Sequence, residues 1–177
     1  TVYVNNLIDT YAATDISVSA SSFNGNIAAG TAVATLSSTD NDPGVTHTYT
    51  LVSGNGDTDN SAFTIDGDQL MIVESPDFES KSSYSIRLQS SDAGGLTYQK
   101  SFTLTVNDLN EYPTNLLVSA STFEENIPSN SIVSTLSSLD PDSTDTHTYL
   151  LVHGDNSDDN GYFEIAGNQL KIKETPD

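Results

Sequence analysis

Apolar and polar residues alternate along most of this chain with a period of two, and no stretch holds a 3.6-residue period. That pattern belongs to strands with one buried and one wetted face. Ile16-Val18-Ala20 predicts a first strand, and Val33 to Leu36 a second whose imperfect alternation points to a bulge. His47-Tyr49-Leu51 predicts a third. Phe63-Ile65 and Leu70-Ile72 flank Asp66-Gly67-Asp68, whose Asp-Gly pair reads as a hairpin turn. Tyr84-Ile86-Leu88 and Phe102-Leu104-Val106 close the set. Seven strands joined by Gly-, Asn- and Ser-rich turns predict an all-β, Greek-key β-sandwich of the immunoglobulin-like kind.

The pattern then repeats. Ile16 to Asp77 aligns without a gap onto Leu116 to Asp177, a constant offset of 100, with about half the positions identical. Val18-Ser19-Ala20-Ser21 returns as Val118-Ser119-Ala120-Ser121, and Thr46-His47-Thr48-Tyr49 as Thr146-His147-Thr148-Tyr149. Val4-Asn5-Asn6-Leu7-Ile8-Asp9 reads as a worn copy of Val106 to Glu111. The expected organisation is therefore the end of a preceding repeat with its linker over 1–14, a first repeat over 15–107, a linker over 108–114 and an incomplete second repeat over 115–177. Repeat 2 lacks counterparts of its last two strands, so either the chain is an excised piece or a neighbouring chain supplies them.

Charge narrows the partners. Five Lys and Arg stand against 25 Asp and Glu, for a formal charge of −20. Such a field repels nucleic acid and anionic membrane surfaces and attracts cations. No apolar stretch is long enough to span a bilayer, so membrane insertion is not expected. Cysteine is absent, which removes disulfides, thiolate metal sites and a Cys nucleophile together. An extracellular two-domain chain then needs another staple.

The acids are clustered rather than scattered. Asp77-Phe78-Glu79 precedes the sixth strand, Asp108-Leu109-Asn110-Glu111 follows the seventh, and Asp140-Pro141-Asp142 follows the second strand of repeat 2. The i, i+2 spacing turns each carboxylate pair to one side of an extended chain. Calcium takes six to eight oxygen donors, more than any one of these segments offers, so the expectation is that three segments share the ion. Asn55 to Asn60 and Asp155 to Asn160, by contrast, read as solvated turn caps. His47 and His147 lie in phase with Tyr49 and Tyr149 and read as structural histidines rather than zinc ligands. No catalytic constellation is present: no nucleophile elbow, no zincin motif and no phosphate-binding glycine loop.

Pro76-Asp77-Phe78-Glu79, Asp108-Leu109-Asn110-Glu111-Tyr112-Pro113 and Asp140-Pro141-Asp142 together resemble the three acidic signatures of tandem cadherin-type repeats, of the sort found in large bacterial surface and secreted proteins. The resemblance implies a calcium junction between repeats built from Asp77, Glu79, Asp108, Asn110, Glu111, Tyr112, Asp140 and Asp142. It also implies a poorer upstream site from Asp9, Asp40, Asp42 and Asp92, and a downstream junction to which Glu125 and Asp177 belong. Repeat 1 departs from the family in carrying Asn24-Gly25-Asn26 where repeat 2 has Glu124-Glu125-Asn126. The junction at Asp108 therefore lacks one bridging carboxylate, which implies fewer ions and a place for the rod to bend.

The expected function is non-enzymatic: a calcium-rigidified extension or adhesion module of a secreted or surface-anchored bacterial protein, in contact with adjacent repeats of its own chain. Two alternatives stay open. One is a module binding polysaccharide or a cell-surface protein through exposed aromatics such as Tyr11, Tyr98 or Tyr112. The other is a self-polymerising filament subunit whose second repeat is completed by a neighbouring copy.

Overall fold

The structure is a computed structural model, and it describes residues 11–177. The described residues divide into two compact units, the first ending at Leu109 and the second running over Asn110–Asp177.

Unit 1 is a sandwich of two four-stranded sheets. The first sheet has the order β1-β3-β6-β5, from β1 (Asp15–Val18), β3 (Ala32–Thr39), β6 (Gln69–Ile72) and β5 (Phe63–Asp66). The second has the order β2-β8-β7-β4, from β2 (Ser22–Asn24), β8 (Thr97–Asn107), β7 (Ser83–Asp92) and β4 (His47–Leu51). The inward faces meet in one apolar core. Ile16, Ala34, Leu36, Phe63, Leu70 and Ile72 come from the first sheet, and Phe23, Ile86, Leu88, Leu104 and Val106 from the second. Each fully buried Leu or Ile contributes about 1.5–3 kcal/mol, so this layer is the main source of the unit's stability. Phe23, Phe63 and Tyr84 form a three-ring cluster, with the Phe23–Phe63 pair edge-on at 6.2 Å and Phe63–Tyr84 edge-on at 5.4 Å.

The first predicted strand is two. Backbone pairing carries β1 antiparallel to β3, whereas three residues later β2 runs parallel to β8 in the opposite sheet. A period-two pattern reports which face is buried but not which sheet a strand joins, so the crossing at 19–21 is invisible to it. The bulge expected in the second strand is present, as a register shift between Ala32 and Ala34. The hairpin loop is Gly67-Asp68, closed by the pair Asp66↔Gln69, with Gly67 at φ +61° in the left-handed region that a glycine enters without strain.

The loop 52–60 is a set of turn caps, as its composition predicts. The Asp57 carboxylate accepts from the Gly54 N–H at 2.9 Å, and Asp59 accepts from the Ser85 N–H at 2.7 Å. Asn60 accepts from the Arg87 N–H at 2.9 Å and donates to the Val52 carbonyl. Together these clip the loop to β7.

Unit 2 repeats the first sheet only. Its order is β11-β12-β10-β9, from β11 (Phe163–Ala166), β12 (Gln169–Ile172), β10 (Ile132–Leu139) and β9 (Asn115–Val118). The bulge recurs between Ile132 and Ser134, and Gly167 turns the hairpin at φ +64°. Residues 122–124 and 147–151, counterparts of β2 and β4, are not in strands. The sheet face that β7 and β8 cover in unit 1 is open here, and Leu116, Val118, Leu150 and Val152 are exposed.

Candidate metal centre

In both units the turn after the eight-residue strand, β3 or β10, folds around its Asp-x-Asp pair. In unit 1 the Asp42 N–H donates to Asp40 Oδ1 at 2.9 Å, and Asp42 Oδ2 accepts the Tyr11 N–H at 2.8 Å. In unit 2 the Asp142 N–H donates to Asp140 Oδ1 at 3.1 Å, and Asp142 Oδ2 accepts the Glu111 N–H at 2.7 Å. The i, i+2 spacing lets the first carboxylate close a short side-chain turn on the second residue's amide, which holds both carboxyl groups in place.

A histidine backs each pair. His47 Nε2 lies 3.1 Å from Asp40 Oδ2, with both side chains buried, and His147 Nε2 lies 3.5 Å from Asp140 Oδ2. The hydrogen bond from the Asp42 backbone, followed by that from His47, holds the Asp40 carboxyl below the usual carboxylate range. Both histidines are structural partners of an acid, consistent with their phase in the sequence.

Asp92 ends β7, and the register pairs it with His47 of β4, placing it at the same end of the sheet as the His47–Asp40 bond. Its Oδ1 accepts the Leu96 N–H at 2.8 Å. Its Oδ2 is buried and accepts no hydrogen bond among the described residues. An orphaned buried carboxylate oxygen is costly, and a cation is one group that satisfies it. Asp9, the fourth residue expected at this upstream site, lies outside the described residues.

Unit 2 holds a denser cluster. Asp140, Asp142 and Asp145 each offer a carboxylate oxygen within 4.8 Å of the others. Oxygens bound to one calcium at about 2.3–2.6 Å stand at most about 5 Å apart, so the three fit a common hard cation. Asp145 was not among the residues singled out from the sequence. Its signal was the extended Asp-x-Asp-x-x-Asp spacing, absent from repeat 1, where Val45 takes its place. Glu111 and Asp142 also lie within this limit of one another, and so, within unit 1, do Glu79 and Asp108.

The remaining candidates have other surroundings. Asp77 accepts the Ser80 hydroxyl at 2.7 Å and the Ser80 N–H at 3.1 Å, and these bonds, hydroxyl first, lower its pKa. Asn110 donates to the Glu111 carbonyl at 3.0 Å, and Tyr112 is 90% exposed. Glu125 and Asp177 are exposed in unit 2. Gly25 has a steric reason to be small. Its N–H bonds the Asn107 carbonyl at 2.9 Å, and a Cβ there would stand 3.3 Å from that oxygen.

No family model matches the sequence, and no curated protein does. Solved structures do match. Domains 3–6 of protocadherin gamma B2 superpose with a TM-score of 0.63 at 21% identity, over 92% of this chain and 40% of that one. The fold is cadherin-like. Human protocadherin-24 domains EC1-2 give a TM-score of 0.66 at 16% identity, over 88% of this chain and 74% of theirs. The protocadherin gamma B4 extracellular domain gives 0.59 at 22% identity, over 92% of this chain and 27% of that one. This cadherin-like chain thus spans less than half the length of the gamma B2 and B4 structures. Among its described residues no helix is long and apolar enough to cross a membrane.

Proposed function

We propose that the chain is a calcium-held extension or adhesion module of an extracellular bacterial surface protein. The observation that carries this is the Asp140–Asp142–Asp145 cluster, three carboxylates within reach of one ion and backed by His147. Asp77, Glu79, Asp108, Asn110, Glu111 and Tyr112 would complete the donor set at the linker, and Asp40, Asp42 and Asp92 would hold an ion in unit 1. A bound calcium supplies positive charge that offsets carboxylate repulsion. The chain's own residues supply the oxygens and, through the Tyr11–Asp42 and Glu111–Asp142 bonds, tie the start of each unit to its site.

The formal charge of −20 supports the same reading. Without a cation, like charges crowded within a Debye length of about 10 Å repel and loosen the linker. With it, the string of domains stiffens. The test is small-angle scattering from the full chain with calcium and with a chelator. The expected result is a narrower distribution of dimensions with calcium. Identical curves would sink the rigidification.

A second reading, a module that binds glycan or protein, is favoured by the exposure of Tyr112 at 90% and Tyr11 at 57%. A glycan array run with a calcium control discriminates, because a pure spacer binds nothing.

A further inference from the structure

We propose, resting on the calcium reading above, that Asp145 makes the turn of unit 2 the first calcium site to fill, at calcium levels that leave the matching turn of unit 1 empty. The two turns share an Asp-x-Asp pair and part company three residues on. In unit 2 the chain runs Asp142-Ser143-Thr144-Asp145, and the Asp145 N–H donates to the Asp142 carbonyl at 3.0 Å. That closed turn brings the Asp145 carboxylate within 4.8 Å of oxygens on Asp140 and Asp142. In unit 1 the chain runs Asp42-Pro43-Gly44-Val45, with Gly44 at φ +80°, and the Val45 side chain has no oxygen to offer. The third acid of that unit, Asp92, comes from β7, and Asp40, Asp42 and Asp92 show no such convergence.

The buried acid of each pair differs as well. Asp40 and Asp140 side chains are both 5% exposed, and each accepts at Oδ1 from the amide two residues on. In unit 1 Asp40 Oδ2 is hydrogen-bonded to His47 Nε2 at 3.1 Å. In unit 2 His147 Nε2 stands back at 3.5 Å, and Asp140 Oδ2 is buried and accepts no hydrogen bond among the described residues. A buried carboxylate oxygen without a partner is costly. A cation therefore gains more at Asp140 than at Asp40, whose oxygen already has one.

Both differences act in the same direction. Calcium affinity rises with the number of charged ligands and with the rigidity of the segment that carries them. The turn Asp140 to Asp145 meets both conditions from unit 2's own residues: its carboxylates converge, and its backbone is closed on itself by the Asp142–Asp140 and Asp145–Asp142 bonds. Without an ion these like charges repel one another, and a divalent cation removes that repulsion. The turn of unit 1 starts with one acid fewer, so its step comes at higher calcium.

The experiment titrates calcium into the chelator-stripped 177-residue chain and follows the backbone amide signals of Asp42 and Asp142 separately by NMR. The expected result is an Asp142 step whose midpoint lies about tenfold or more below that of Asp42. Asp145→Asn keeps the backbone turn and should raise the Asp142 midpoint about tenfold or more while leaving the Asp42 step in place. Asp155→Asn removes the same charge from an exposed position of unit 2 outside the turn, and should move neither midpoint by more than about twofold. Coincident midpoints in the unsubstituted chain overturn the proposal. So does an Asp142 step that Asp145→Asn leaves unchanged, or one that Asp155→Asn weakens equally. Ordered loading with identical scattering curves supports it and sinks only the rigidification. No saturable shift at either amide sinks the calcium reading and the order of loading together.

Discussion

The backbone N–H of Glu111 donates to Asp142 Oδ2 at 2.7 Å, and one repeat earlier Tyr11 makes the same bond to Asp42 at 2.8 Å. The side chains at the donor position differ completely, so what is preserved is the tie between the entering chain and the Asp-x-Asp turn. That bond gives the second Asp a structural role even with no ion bound. Asp142→Ala should therefore destabilise unit 2 without calcium by about 1–3 kcal/mol, the usual range for losing a hydrogen bond to a charged group. Asp142→Asn keeps an acceptor and should cost clearly less. Chemical denaturation in chelator compares the two.

Leu88 is fully buried between the sheets of unit 1, and Leu150 is 81% exposed in unit 2. Leu88→Ala should cost about 2–5 kcal/mol through lost burial and the cavity left behind. Leu150→Ala should stay within about 0.5 kcal/mol. Equal shifts in the denaturation midpoints would contradict the assignment of the core.

Lys100 Nζ lies 2.6 Å from Asp15 Oδ1 and 3.0 Å from the Ile16 carbonyl. The hydrogen bond from Lys100 holds the Asp15 carboxyl below its ordinary value of 3.8. A lowered carboxylate stabilises the fold fully above its unfolded pKa, and that contribution is lost as pH falls through the lower folded value. Asp15→Asn should thus weaken unit 1 at neutral pH and make progressively less difference as pH drops below 3.8. The pair is part-exposed, so added salt should shrink the effect. Thermal melts of both proteins across pH 2–7 check the sign.

Gly56 holds φ +90°, and a Cβ there would stand 2.7 Å from Ser101 Oγ and 2.8 Å from its Cβ. Gly30, at φ +76°, has nothing within 4 Å. Both Ala variants meet backbone strain of about 1–2 kcal/mol. Gly56→Ala must also push the 52–60 loop off β8, so it should be the more destabilising of the two and should raise amide exchange across that loop.

The offset of 100, the strand positions and the hairpin turns were legible because they depend on period and turn chemistry, both local properties. The split of the first strand was not, since Ile16 and Phe23 show the same inward alternation while pairing with different sheets. Nor was the pairing of His47 with Asp40, seven residues apart, which needs the β3–β4 connection to fold back. Residues 147–151 keep the strand pattern of 47–51 yet form no strand, because a strand is made by its partner as much as by its sequence. At the candidate site the two Asp-x-Asp turns could be read directly from their spacing. Asp145 has no counterpart in repeat 1, so the repeat did not point to it, and its one signal was the Asp-x-Asp-x-x-Asp spacing.

The measurement that bears most directly on the account is a calorimetric calcium titration of the chelator-stripped chain. A calcium-held module should show saturable binding with at least one ion per chain, tightest where Asp140, Asp142 and Asp145 converge, and weakened at least tenfold by Asp142→Asn. No saturable heat up to roughly 10⁻³ M calcium, the weak end for extracellular modules, would contradict it.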